Sequence, residues 1–211
     1  MNVFVFLDNR FCLIEDKSIW TKTAFPYSFW TRYLDVFDEV IVVARIRSKS
    51  NAQRNFRRCD GLGVSFIAIP DYHGPLQYAT RYYQIVKHLN NIDVSGHAVI
   101  LRAPSQIGNL MERKLRKNSY PFGLEVVGDP YDAFAPGVII HPFRPLFRWL
   151  FRKHLNKQCA NACSISYVSK YLQRRWRPSN ISTFITSYSS IELPDDAFVR
   201  APRRFSRRTN R

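Results

Sequence analysis

Short apolar runs alternate with stretches of helical periodicity along almost the whole chain. Residues 3–7 (VFVFL), 39–45 (EVIVVAR), 63–69 (GVSFIAI), 97–101, 122–127, 164–168 (SISYV) and 182–186 (STFIT) read as strands. Several are continuous β-branched runs, the pattern of strands buried on both faces. Between them, residues 26–37 place Tyr27, Trp30, Tyr33, Leu34 and Phe37 at helical spacing. Helices are also predicted over 75–89, with Pro75 in the first turn, and over 106–117 behind Ser105 as N-cap. Two more are predicted, a long one over 144–162 and a short one over 169–175 ahead of Pro178. Residues 8–23 read as a loop.

Strand alternating with helix predicts an α/β fold: a mostly parallel, right-handedly wound sheet with helices on both faces. Ligands of such sheets bind beyond the carboxyl ends of the strands. That rule singles out residues 8–10, 70–74, 102–105, 128–132 and 169–170. Beyond residue 195 the hydrophobic pattern gives way to an Arg/Pro/Ser run, so 1–194 is expected as the folded domain and 195–211 as a basic linker or tail.

Charge changes this picture. The chain of 211 residues holds 32 Lys and Arg against 16 Asp and Glu, a net +16. No acidic residue lies between Asp132 and Glu192. A field of that sign attracts phosphate, whether of lipid head groups, nucleotides or nucleic acid. With 45% hydrophobic residues the chain is not intrinsically disordered. No run reaches the roughly 18 apolar residues of a spanning helix, and the N-terminus lacks the basic region of a signal peptide. A cytoplasmic protein, soluble or peripheral on a membrane, is expected. Cys12, Cys59, Cys159 and Cys163 are too scattered for a disulfide framework and are expected as buried structural thiols. No metal site is expected.

Several places bear on candidate chemistry. The segment GLEVVGDPYDAFAPG (123–137) ends a buried strand in Gly128-Asp129-Pro130-Tyr131-Asp132. Its aspartates either meet a hydroxyl-bearing substrate or are solvated turn residues. Arg102 beside the helix start at Ser105 is either an anion site or a cap with a surface ion pair. Ser169 and Lys170 repeat that arrangement. His73 and His141 are loop histidines, either general bases or plain polar residues. The first loop, with Asp8, Asn9 and Arg10, holds neither G-x-G-x-x-G nor a Walker sequence, which argues against a dinucleotide site. Finally, HPFRPLFRWLFRKHLNKQ (141–158) interleaves Leu146, Phe147, Leu150, Phe151 and Leu155 with Arg144, Arg148, Arg152, Lys153 and Lys157. It reads as a helix on an anionic membrane surface, a helix stacking on nucleic acid, or a helix packed on the sheet with a solvated basic face. The membrane reading rests on Arg144, Phe147, Arg148, Phe151, Arg152 and Lys153.

The order strand, GDPYDAFAPG, basic aromatic helix, ACSISYVSKYLQRRW and ISTFITSYSSIEL, with WTKTAFPYSFWTRYLDVFDEVIVVARI before it, resembles the N-terminal half of glycosyltransferase family 4 enzymes. The likeness is to bacterial members that assemble polysaccharide and cell-surface glycans. It implies a Rossmann-like domain, half of a GT-B fold, that holds a glycan or lipid-linked acceptor on the inner membrane face. A C-terminal domain, absent from this chain, would bind the nucleotide-sugar. Transfer would retain anomeric configuration and need no cofactor or metal. The resemblance implies a cleft of Asp8, Arg10, Arg102, Ser105, Asp129, Tyr131, Asp132, Ser169 and Lys170. In it Asp129 orients an acceptor hydroxyl, and Arg102 and Lys170 face phosphate. The loop DNRFCLIED departs from the Gly-Gly of many members. By this reading the chain alone is an inactive half, paired with a separate donor-binding domain. The rival reading from charge is a basic module for nucleic acid or anionic membrane, without catalysis.

Overall fold

The computed structural model describes residues 1–22, 24–50, 54–138, 140–189 and 201. Apart from Ala201, the expected linker lies outside them. Seven strands form the parallel sheet: β1 (Val3–Leu13), β3 (Val40–Ser48), β5 (Val64–Pro70), β6 (Ala98–Ala103), β7 (Gly123–Val126), β8 (Ser164–Tyr167) and β9 (Phe184–Ser187). Their spatial order is β5-β3-β1-β6-β7-β8-β9. The order reverses between β1 and β6, so the switch point lies at the carboxyl end of β1.

The first strand is the main departure from the pattern reading. It does not stop at Leu7 but runs to Leu13, where Cys12 and Leu13 pair antiparallel with β2 (Ile19–Thr21). β2 in turn pairs with β4 (Arg57–Arg58). Most of the expected loop is therefore a hairpin extension of the sheet. Between Phe6 and Arg10 β1 advances four residues while β3 advances two. This irregularity bends the strand and lifts Leu7, Asp8 and Asn9 out of the ladder. Alternation is lost there, which is why the polar triplet DNR reads as a loop.

The connecting helices divide between the two faces of the sheet. α2 (Gly74–Asn90), α3 (Gln106–Lys117), α5 (Arg144–Asn161) and α6 (Lys170–Arg175) contribute to one core, closed by Phe6, Leu101, Met111, Leu124, Leu155 and Tyr167. On the other face α1 (Tyr27–Leu34) packs Phe29, Trp30 and Tyr33 onto Val3, Val5, Val40 and Val42. Phe25, Phe29 and Trp30 meet edge-on or stacked at 4.7–5.7 Å, geometry that adds to their area burial. A single turn, α4 (Pro130–Ala133), follows β7. Ser105 caps α3, its hydroxyl accepting from Gly108 N at 2.9 Å, as the sequence predicts. Among the described residues no helix is long and apolar enough to cross a membrane.

Candidate active site at the sheet mouth

The bulge in β1 aims Asp8 at the switch point. Its carboxylate accepts from the Tyr72 hydroxyl at 2.6 Å and from the backbone N–H of Gln106, the first residue of α3, at 3.0 Å. Arg45, at the carboxyl end of β3, brings Nε to 3.0 Å from Asp8 Oδ1. Its Nη1 donates to the Tyr72 carbonyl at 2.9 Å, and its guanidinium lies 4.5 Å from the Tyr72 ring centre. The Asp8 carboxylate thus fills the anion position that a helix N-terminus offers. Burial pushes the Tyr72 phenol far above its ordinary range, and the Asp8 charge pushes it further. Tyr72 is therefore a fixed donor to Asp8. Beside it, Arg10 Nε donates to Asp71 at 2.7 Å and Arg10 Nη2 to the Tyr72 carbonyl at 2.7 Å. His73 Nδ1 is 3.3 Å from the same guanidinium.

The second half of the mouth lies after β7. Asp129 caps α4, accepting from Tyr131 N at 2.8 Å. Its carboxylate is only 6% exposed, and Oδ2 stands 3.0 Å from Arg175 Nη1. That contact is out of line with the N–H bonds, so Oδ2 accepts no hydrogen bond. Arg175 also reaches Asp132 at 3.4 Å and bonds the Tyr171 hydroxyl. Tyr131 is clasped between two guanidinium groups, Arg148 at 3.3 Å and Arg175 at 4.7 Å from its ring centre. Gly128 packs on Pro104 of the β6–α3 turn, joining the two halves.

Asp8, Arg10, Ser105, Asp129, Tyr131 and Asp132 therefore line or support one mouth at the carboxyl ends of the strands. Three expected residues take other roles. Arg102 is 4% exposed and bonded to Glu125, its cross-strand partner in register on β7. Tyr33 donates to the other Glu125 oxygen at 2.8 Å, and the rings of Phe25 and Phe29 lie 5.0 Å from the guanidinium. Burial and the Glu125 charge push the Tyr33 phenol well above its usual range. Arg102 is a buried structural cation on the α1 face, so it does not meet phosphate at the mouth. Ser169 spends its hydroxyl capping Leu172 N. Lys170 lines a separate groove of about 420 Å³ with Arg174 and Arg177. Pattern reading singled out Asp71 and Tyr72 only as part of the loop 70–74, and did not assign Arg45 or Arg175 to the mouth. Arg45 ends a buried strand, and Asp71 and Tyr72 fall within the flagged loop 70–74, so position alone could have found them. Nothing in the sequence marks Arg175.

The basic helix also needs correction. Phe147 and Phe151 face inward onto Phe134, at 6.1 and 5.1 Å between ring centres. Arg144 and Arg148 donate to the carbonyls of Phe134 and Tyr131. These four sit at spacings of three and four on the face that meets α4. Arg152 and Lys153 remain exposed. The exposed apolar residues are instead Val138, Ile140, Phe143, Leu146 and Trp149. His141 is turned onto Phe143 and Phe147. Cys163 is exposed, unlike the other three thiols. Among the described residues no group of three or more His, Cys, Asp or Glu could hold a metal ion.

No family model matches the chain. It is similar to Protein CapJ of Staphylococcus aureus, at 27% identity over 180 residues, 83% of this chain and 45% of that protein. The chain thus spans less than half the length of this curated relative. A solved structure, a UGT transferase from Siraitia grosvenorii in complex with UDP, aligns with 93% of this chain and 53% of its own, at TM-score 0.42 and 10% identity.

Proposed function

We propose that this chain is the acceptor-binding half of a retaining glycosyltransferase, which receives sugar from a nucleotide-sugar held by a separate donor-binding domain. The observation that carries the reading is Asp129. It is a nearly buried carboxylate at the carboxyl end of a parallel strand, with one oxygen that accepts no hydrogen bond. Such an oxygen can accept a proton-bearing acceptor hydroxyl, orient it and ease its deprotonation. Arg175 holds the carboxylate in place, and Arg148 and Arg175 fix Tyr131 beside it. The family 4 resemblance of the GDPYDAFAPG and SYVSKYLQRRW segments supports the reaction class.

The test is sugar transfer from a panel of radiolabelled nucleotide-sugars, with this chain joined to a donor-binding half. Asp129→Asn is expected to lower kcat/KM by about 10²-fold or more. Unchanged kcat/KM in a folded variant overturns the role of Asp129.

The reading includes attachment to the inner membrane face. Phe143, Leu146 and Trp149 project from the start of α5, with Ile140 and Val138 before them, and Arg152 and Lys153 alongside. Lys153 Nζ lies 5.1 Å from the Trp149 ring centre. Exposed aromatics rimmed by cations suit the head-group region of anionic lipid. Co-sedimentation with phosphatidylglycerol vesicles and loss on Trp149→Ser with Phe143→Ser is the expected result. Equal binding by wild type and variant refutes it.

A further inference from the structure

Among the described residues the parallel sheet ends at β9, which pairs with β8 on one side only. Phe184 N and Tyr188 N donate to the carbonyls of Cys163 and Tyr167, so these two positions face β8. Backbone direction alternates along a strand. The N–H and C=O groups of Ile185 and Ser187 therefore point outward from the ladder. An open row of this kind is a template for another strand, and proteins commonly blunt it with proline or charge. Residues 184–187 (FITS) contain neither. Alternate side chains of β9 enter two different surroundings. Ile185 belongs to the groove of about 420 Å³ on the α6 side, with Ile181, Lys170, Arg174 and Arg177. Those three cations are exposed, and the lining holds no carboxylate. Phe184 and Thr186 lie on the opposite face, beside a hollow of about 120 Å³ with Ile100, Gly123, Ser164 and Ser166. Its lining includes Glu125, already bonded to Arg102 and Tyr33. Phe184 is 68% exposed there.

We infer that the β9 edge is a docking site for an extended segment of a partner protein in which acidic and apolar side chains alternate. Added as a further strand, the segment bonds the outward groups of Ile185 and Ser187. Its acidic side chains then lie on the face of Arg174 and Arg177, and its apolar ones on the face of Phe184. Main-chain bonds supply affinity in such an arrangement, and the alternating side chains supply specificity. Charge complementarity decides the occupant. Antiparallel pairing of two β9 edges would set two clusters of Lys170, Arg174 and Arg177 side by side, and juxtaposed like charges oppose association. A second copy of this chain is therefore disfavoured, and an acidic segment is favoured. The inference does not depend on the transfer reaction, because it uses none of the residues assigned to it.

The test uses the ¹⁵N-labelled 211-residue chain and capped octapeptides of alternating Glu-Val, of alternating Lys-Val, and of Glu and Val in blocks of two. The Glu-Val peptide is expected to slow hydrogen exchange at the Ile185 and Ser187 amides. It should bind at least about tenfold more tightly than the other two, and weaken severalfold between about 50 and 500 mM NaCl. Arg174→Glu with Arg177→Glu should reverse the order of the Glu-Val and Lys-Val peptides. Ile185→Pro deletes an outward N–H and spares the ladder with β8, and should weaken binding about tenfold. The ¹⁵N spectrum of each variant checks that it is folded. Equal binding of the three peptides, or Glu-Val binding that leaves both amides unprotected, overturns the inference. Protection of both amides before any peptide is added also overturns it, because the edge is then already paired, by a second copy if the chain sediments as a dimer.

Discussion

Removing the Glu125 carboxylate tests the buried pair at the centre of the sheet. Glu125 side-chain exposure is 10% and that of Arg102 is 4%. The guanidinium has Glu125 and Tyr33 as partners and aromatic rings around it. Glu125→Ala leaves that cation desolvated, without its counter-charge, and leaves Tyr33 without its acceptor. Breaking a buried pair from one side costs about 3–5 kcal/mol. Against a total stability of about 5–15 kcal/mol, that is a large share. For a domain of this size it corresponds to a Tm lowered by roughly 6–20 °C. The double variant Arg102→Met with Glu125→Leu removes both charges. It should recover most of the loss, because the desolvation cost goes with the attraction. Urea denaturation at pH 7 measures both, with the m-value checking that the same surface unfolds. A loss below about 1 kcal/mol for Glu125→Ala is what a solvated surface pair gives. That result would refute the structural role assigned to Arg102 and reopen it as a ligand contact.

Three more predictions follow from local geometry. Asp8→Ala strips the Tyr72 hydroxyl and the Gln106 N–H of their shared acceptor and Arg45 of its counter-charge, and should cost about 2–3 kcal/mol in the same denaturation; Asp8→Asn, which keeps an acceptor for α3, should cost less. Burial first, and then Arg113, Lys157 and Lys153, hold the His154 pKa below 6.5. The unfolded chain then binds the proton more readily, so the His154 contribution is present above pH 6.5 and is lost as pH falls through that value towards the folded pKa. Tm should fall with acidification across this window, less so in His154→Gln. Thiol labelling of the native chain should proceed at Cys163, which is exposed, and spare Cys59 and Cys159, whose pKa values burial raises to about 12.

Much of this architecture is visible in one dimension because the parallel sheet imposes strong local patterns. Strands such as Val40–Ser48 must be apolar on both faces, and α3 must carry a cap and an amphipathic face, so Ser105 and residues 106–117 announce themselves. The strand-end rule then nominates Asp8, Arg10 and Asp129 from position alone. What it cannot supply is which partner each charge finds. Arg102 and Asp129 both follow strands and read alike in sequence. Register pairs one with Glu125 inside the sheet, and the β7–α4 turn brings the other to the mouth. The β1 irregularity, which carries Asp8 to the α3 N-terminus, depends on pairing with β3 rather than on the residues DNR. The inward turn of Phe147 and Phe151 likewise depends on Phe134, thirteen residues before the nearer one. Apolar periodicity is a local property, set by burial of one face or two, and the chain states it directly. Charge compensation and the choice among apolar faces arise from contacts between distant segments, and they exist once the sheet has assembled.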